Sequence, residues 1–250
     1  MTSQLNSILH SFSNLTPQSQ RLAIAAAVGV IVGIPVFRIA AEDYRGYIAL
    51  GPGGLPHSFI GWIGQILLKP LKKEPFQTSC YDEKSTEADD REVDGAESTV
   101  DGYGEAISYR GMCIATTACH STYLQSQGYQ SFLSSLASSS SSKLKIATSL
   151  AERRGPALFV ASEKPSHPIA KRTGGEIVHM HGSDGSMHIN LAPKDAKLVL
   201  ERGWGQRHPL SGTVLYLGNV MVYAPRNEDE LEVVKSITRA GVKFMLGEEC

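Results

Sequence analysis

The stretch "EIVHMHGSDGSMHINL", residues 176–191, places three of the chain's eight histidines within ten positions. It reads as a β-hairpin. Gly182, Ser183, Asp184 and Gly185 are turn residues, and Asp-Gly is a strong signal for a tight reversal. With Asp184-Gly185 as the central pair, His181 falls opposite His188 and His179 opposite Asn190. Side chains alternate across a strand, so His179, His181, His188 and Asn190 share one face. Val178, Met180, Met187, Ile189 and Leu191 share the other. A wider turn shifts the pairing by two residues and leaves the three imidazoles together. Opposed side chains stand about 5 Å apart at Cβ, so the rings can converge on one small object.

Around the hairpin the chain reads as an α+β domain with an antiparallel sheet. "PALFVA" (156–161) and "NVMVYAP" (219–225) are strand candidates. Pro193 and Gly203 bound a helix over 193–202. Asn227 followed by Glu230 is an N-cap pattern for a final helix, whose Leu231, Val234, Ile237, Gly241, Val242 and Met245 form one apolar stripe. "STYLQSQGYQSFLSSLA" (121–137) and "SKLKIATSLAERR" (142–154) have helical character, with a serine run between them. "GWGQRHPL" (203–210) reads as a shaped loop, its glycines flanking Trp204 and Pro209 fixing its exit.

The amino-terminal part has a different character. Leu22 to Phe37 is sixteen residues without a polar side chain, bracketed by Arg21 and Arg38. A membrane span needs about 20 mostly apolar residues, with roughly 17 as a practical minimum, so 21–41 is expected to be a transmembrane helix after a tail at 1–20. Residues 1–20 contain no Lys or Arg, unlike the positive start of a cleaved signal peptide. Arg38, Arg45, Lys69, Lys72 and Lys73 after the run bias the body toward the cytoplasmic side. The expectation is a single-pass protein, of the endoplasmic reticulum. Residues 42–76 carry Phe59, Ile60, Trp62, Ile63, Ile66, Leu67 and Leu71 beside a lysine cluster, suited to an interfacial helix. Residues 77–105 form an acidic loop, with ten acidic side chains from 82 to 105 opposed only by Lys84 and Arg91. The folded domain is then expected over 106–250.

Composition narrows the function. A net charge of −1 offers no basic field for nucleic acid. The cysteines at 80, 113, 119 and 250 make no CxxC pair, so neither a disulfide framework nor a thiolate zinc site is indicated. Cys119 and His120 read as ordinary helix residues.

"EIVHMH", "GWGQRHPL" and "YAPRNEDE" (223–230), in that order, resemble the fungal luciferase family, whose luminous members oxidise 3-hydroxyhispidin. The turn departs from the luminous members, which carry a longer one with an additional histidine. The resemblance implies an enzyme that adds molecular oxygen to an enolisable pyrone without an organic cofactor, giving an endoperoxide that loses carbon dioxide. It also implies secondary metabolism.

Three readings of His179, His181 and His188 stay open. They can bind a metal, zinc or iron, as three-histidine sites with an open position do. One can remove an enol proton while its neighbours and Arg207 hold the anion, with His208 beside them. They can be structural, bonded to Asp184 or Glu176. The resemblance favours the second, with no metal. Trp204 and Tyr223 are candidates to line the substrate site, and Arg207 and Arg226 to pair an enolate or carboxylate; Arg226 can equally bridge to the acids at 228–230. The expectation is a membrane-anchored, luciferase-like oxygenase of a small planar enol. The alternatives are a three-histidine hydrolase or lyase, and a membrane-tethered module binding an aromatic ligand.

Overall fold

The computed structural model describes residues 16–49, 51, 54–83 and 120–248, with Gln4, His10, Ser13 and Asn14. The chain divides into two compact units, 1–65 and 66–250.

In the first unit, helix α1 (Pro17–Ala49) contains the whole apolar run. It is long and apolar enough to cross a membrane, and none of its most apolar window is buried. The loop after it turns back into α2 (Phe59–Leu68). Polar and aromatic contacts fix that return. Trp62 Nε1 donates to Asp43 at 2.8 Å, Tyr47 donates to the Pro56 carbonyl at 2.6 Å, and Tyr44 meets Trp62 edge-on at 5.6 Å. Gly61 is required there, because a Cβ would overlap the Pro56 carbonyl oxygen. Phe59, Ile60 and Leu67 of α2 are exposed. Of the acidic stretch 77–105, residues 77–83 are described and include the one-turn helix α3 (Cys80–Glu83). The rest of it, with Cys113, Cys119 and Cys250, lies outside the described residues.

The second unit is α+β, as the pattern predicts. Helix α4 (His120–Ser139) precedes strands β1 (Leu144–Thr148) and β2 (Pro156–Val160). Short helix α5 (Pro168–Arg172) leads to β3 (Glu176–Met180) and β4 (Met187–Asn190). Then come α6 (Pro193–Glu201), β5 (Gly205–Arg207), β6 (Asn219–Val222) and α7 (Glu228–Leu246). The six described strands form one antiparallel sheet in the order β1-β2-β3-β4-β6-β5.

Two expected elements change class. Residues 142–154, read as helix, contain β1, because Leu144 to Thr148 pair residue for residue with Val160 to Pro156. A five-residue segment gains more from a ladder than from an uncapped helical turn. The loop at 203–210 contains β5, whose Gly205 lies so close to β6 that a Cβ would meet the Met221 carbonyl oxygen at 2.4 Å. Glycine admits that strand to the sheet edge.

One sheet face is the core. Residues paired across neighbouring strands share a face, so Val178, Ile189, Val220 and Arg207 lie together. Helix α7 covers this side. Its stripe of Leu231, Val234, Ile237, Gly241, Val242 and Met245 is buried, and a Cβ on Gly241 would lie 2.9 Å from Ile189 Cγ2 and 3.0 Å from the Asn190 carbonyl oxygen. The helix starts as predicted, with Asn227 Oδ1 accepting from the Glu230 N–H at 2.9 Å. Helix α4 joins it through Tyr129, whose hydroxyl meets that of Thr238 at 2.6 Å.

Candidate functional site

The opposite face carries the histidines. The register is His179↔His188 with Met180↔Met187, two residues from the tight-turn arithmetic. The reversal uses four residues, Gly182 to Gly185. The His181 N–H donates to the Ser186 carbonyl at 2.7 Å, and the Gly185 N–H donates to the His181 carbonyl at 3.0 Å. Asp184 decides the wider turn, because its Oδ1 accepts both the Ser186 N–H at 3.0 Å and the Ser186 hydroxyl at 2.8 Å. Gly185 supplies the positive φ of 73° that such a reversal needs.

Because side chains alternate, this shift keeps all three rings on one face. Ring centroids lie 5.3 Å apart for His179 and His188, 4.8 Å for His181 and His188, and 5.5 Å for His179 and His181. His208 follows β5 and sets its ring 5.1 Å from His188. Four imidazoles therefore meet, two from β3 and β4 and two from the residues just after β3 and β5.

Their partners are specific. Glu176 Oε1 accepts from His179 Nδ1 at 2.7 Å and from the Ser149 hydroxyl at 2.7 Å. Its Oε2 accepts the Leu150 and Ala151 N–H groups at 2.8 and 3.2 Å. Glu176 and His179 are three apart, which on a regular strand puts them on opposite faces. The β2–β3 register jumps from Leu158↔Val178 to Phe159↔Glu176, and this bulge turns Glu176 to the histidine side. His181 Nδ1 lies 2.8 Å from the Ser186 hydroxyl. Since that hydroxyl donates to Asp184, it accepts from His181, and the second ring nitrogen, Nε2, lies 3.5 Å from Glu152 Oε1. His208 Nδ1 accepts the Leu210 N–H at 3.1 Å, so the neutral ring carries its proton on Nε2. His188 Nδ1 is buried and has no hydrogen-bond partner by geometry.

Burial is the first cause of every imidazole shift in this group. It lowers the His181 pKa, opposed by Glu152 and aided by His179. It holds His188 well below the ordinary imidazole value, reinforced by repulsion from His181, His208 and His179. It lowers His208 to about 4, reinforced by His181, Lys72 and His179. For Glu176, burial alone would raise the pKa. The hydrogen bonds from His179, Ser149 and Leu150 outweigh it and hold the carboxyl below its usual range. At neutral pH these three rings are uncharged.

The remaining candidates are used differently. Arg207 shares the core face, not the histidine face. It is 3% exposed, and it donates to Cys80 Sγ and the Glu74 carbonyl, both at 2.8 Å. A guanidinium so placed holds the 74–80 segment and is not presented to an anion beside His188. Arg226 bonds Glu230 with its backbone N–H at 2.7 Å and with its guanidinium, the ion-pair reading of "APRN". Trp204 is buried in the core cluster. The Tyr223 N–H donates to the Trp204 carbonyl at 3.0 Å, extending the β5–β6 ladder, and burial raises the Tyr223 phenol pKa. His120 begins α4.

The sequence offered Glu176 as a structural partner of the histidines, and its bond to His179 is present. Glu152 was missed as a neighbour, because it lies in a segment read as helix.

The model of the luciferase-domain family matches residues 174–241, a span holding all four histidines, both strands of the hairpin and most of α7. That span is similar to a luciferase domain. The chain is similar to the luciferase of Neonothopanus nambi, 28% identical over an alignment of 256 positions that covers 96% of this chain and 93% of that protein. It is also similar to the luciferases of Armillaria gallica and Armillaria mellea, 46% identical over 85 residues, 32% of each chain. No solved structure matches. These likenesses give the chain a luciferase-like, fungal character. The matched span holds the hairpin, β5, β6 and His208, whereas Ser149 and Glu152 come from the β1–β2 connection outside it.

Proposed function

We propose that this protein is a luciferase-like oxygenase that adds molecular oxygen to a small planar enolic metabolite, a pyrone or a phenol, without an organic cofactor. The observation that carries the reading is the face of four converging imidazoles, three of them kept uncharged by burial. Deprotonating an enol needs a lone pair to take the proton and a donor to hold the oxyanion. An uncharged ring of the hairpin cluster supplies the first. His208 supplies the second, since its Nδ1 is occupied by the Leu210 N–H and its Nε2–H is free to donate. The enolate carbon then bonds to oxygen and the resulting peroxide closes on the neighbouring carbonyl carbon. The substrate supplies the electrons for both new C–O bonds, so no outside reductant is needed.

We read helix α1 as a single-pass anchor at the endoplasmic reticulum, and the cations after it, Arg38, Arg45, Lys69, Lys72 and Lys73, favour a cytoplasmic domain. An anchored site suits a planar, apolar metabolite that concentrates at the bilayer.

The test is oxygen uptake by the full chain in detergent micelles, offered 4-hydroxy-2-pyrones and hydroxylated phenols. The reading expects uptake that depends on both enzyme and enol. Tight binding of these compounds with no oxygen consumed would replace it with the binding-module alternative.

A further inference from the structure

We propose that His179, His181 and His188 hold a divalent first-row transition-metal ion, zinc-like in its preferences, with Glu152 beside its open position. Candidate ligand atoms of these three side chains all lie within 4.8 Å of one another. Tetrahedral coordination with metal–nitrogen distances of about 2.0–2.1 Å puts ligand nitrogens about 3.3 Å apart. Small rotations of rings already packed against each other close that difference.

The hydrogen bonds favour an ion more strongly than proximity does. Glu176 fixes the proton of His179 on Nδ1, and the Asp184–Ser186 pair fixes that of His181 on Nδ1. Each of these rings is left with a lone pair on Nε2. Near them stand the Glu152 carboxylate, 3.5 Å from His181 Nε2, and the His188 ring, 4.8 Å from that of His181. The lone pairs of His179 and His181 and the carboxylate thus lie close together. Such a set is repulsive until a cation sits between its members. Outer partners of this kind, a carboxylate on one ring and a hydroxyl–carboxylate pair on another, are what orient histidines toward metals and raise their basicity. Three imidazole ligands select a borderline ion over calcium or magnesium, which take oxygen ligands.

Three protein ligands leave one coordination position for a small molecule. On the oxygenase reading, that position takes the enol oxygen, and with the hairpin rings engaged by the ion its proton passes to Glu152 in place of an imidazole. The ion then holds the enolate with His208 as second donor. Only this last step rests on the proposed function. Binding of the ion does not, and it leaves the absence of an organic cofactor intact.

Full-length protein is purified in detergent without chelator and analysed for metal, then stripped and titrated with Co2+ and Zn2+. One equivalent per chain is expected, with the intense visible bands of tetrahedral Co2+ that Zn2+ displaces. His188→Gln should lose stoichiometric binding, Glu176→Gln should weaken it about 10–100-fold, and His208→Ala should leave it unchanged. Circular dichroism checks the variants, and the wild-type titration decides the matter where a variant does not fold. No Co2+ bands at millimolar ion, or equal retention of metal in folded His188→Gln, overturns the site. Stoichiometric metal with no oxygen uptake on any enol leaves the site standing and removes the oxygenase. Undiminished uptake by metal-free protein leaves the oxygenase standing and overturns the step at the ion's open position.

Discussion

Glu176→Gln tests how the site is held together, because it keeps the shape of the side chain and removes only charge and one acceptor. The carboxylate accepts four hydrogen bonds, two on each oxygen. An amide has one acceptor oxygen, so its NH2 group must face either the Leu150 and Ala151 N–H groups or the Ser149 hydroxyl and His179. The first arrangement sets donors against donors. The second is tolerable only if His179 moves its proton to Nε2, removing a lone pair from the histidine face. A buried donor left unsatisfied costs about 1–3 kcal/mol, and charge-assisted bonds exceed neutral ones by roughly 1 kcal/mol each. The loss should therefore be about 2–5 kcal/mol at pH 7. The pH dependence fixes the sign. Glu176 has a depressed pKa in the folded state, so its contribution is present above the unfolded carboxyl value of about 4.3. It is lost as pH falls through the folded value. The difference between variant and wild type should shrink on acidification. Guanidinium melts of the full chain in detergent, followed by near-ultraviolet circular dichroism, measure this. Nitrogen chemical shifts of His179 report its tautomer. A variant as stable as wild type at pH 7, with His179 still protonated on Nδ1, would refute the reasoning.

Four further outcomes are expected. His208→Gln should keep the fold and lower oxygen uptake about a hundredfold, the scale of losing one oxyanion donor; unchanged uptake in folded protein removes His208 from the chemistry. Arg207→Lys should destabilise the domain by about 1–2 kcal/mol, since an ammonium cannot reach Cys80 and the Glu74 carbonyl together. Its substrate affinity should not change, and a raised KM at full stability would restore Arg207 to the site. Gly241→Val should cost about 2 kcal/mol or more, because its Cβ would press on Ile189 and the Asn190 carbonyl from 2.9 and 3.0 Å; a thermal melt checks it. The full chain should stay with membranes through carbonate washing, and deletion of residues 1–41 should weaken that attachment; full-length protein released by carbonate would remove the anchor.

Local rules settled much of this protein. The 3.6-residue period marks α7, and its cap at Asn227 follows from the need of the first N–H groups for an acceptor. The period of two fixes which residues of one strand share a face, and a turn of two or four residues keeps both strands in phase. The three hairpin imidazoles therefore lie together for either of those turns. An apolar run long enough to span a bilayer is equally a property of the chain itself.

Tertiary structure decided what no local period encodes. Helix and strand compete closely over Leu144–Thr148, and only the partner strand, with its full ladder, settles the choice. The bulge between β2 and β3 breaks the alternation and turns Glu176 to face His179. Arg207 and His208 are neighbours in sequence, yet strand alternation assigns the guanidinium to the core and the imidazole to the site. The lone pairs presented by His179 and His181 follow from hydrogen bonds made by groups elsewhere in the fold. Sequence placed the histidines, whereas long-range packing set their tautomers, and tautomer determines whether a ring binds, donates or accepts.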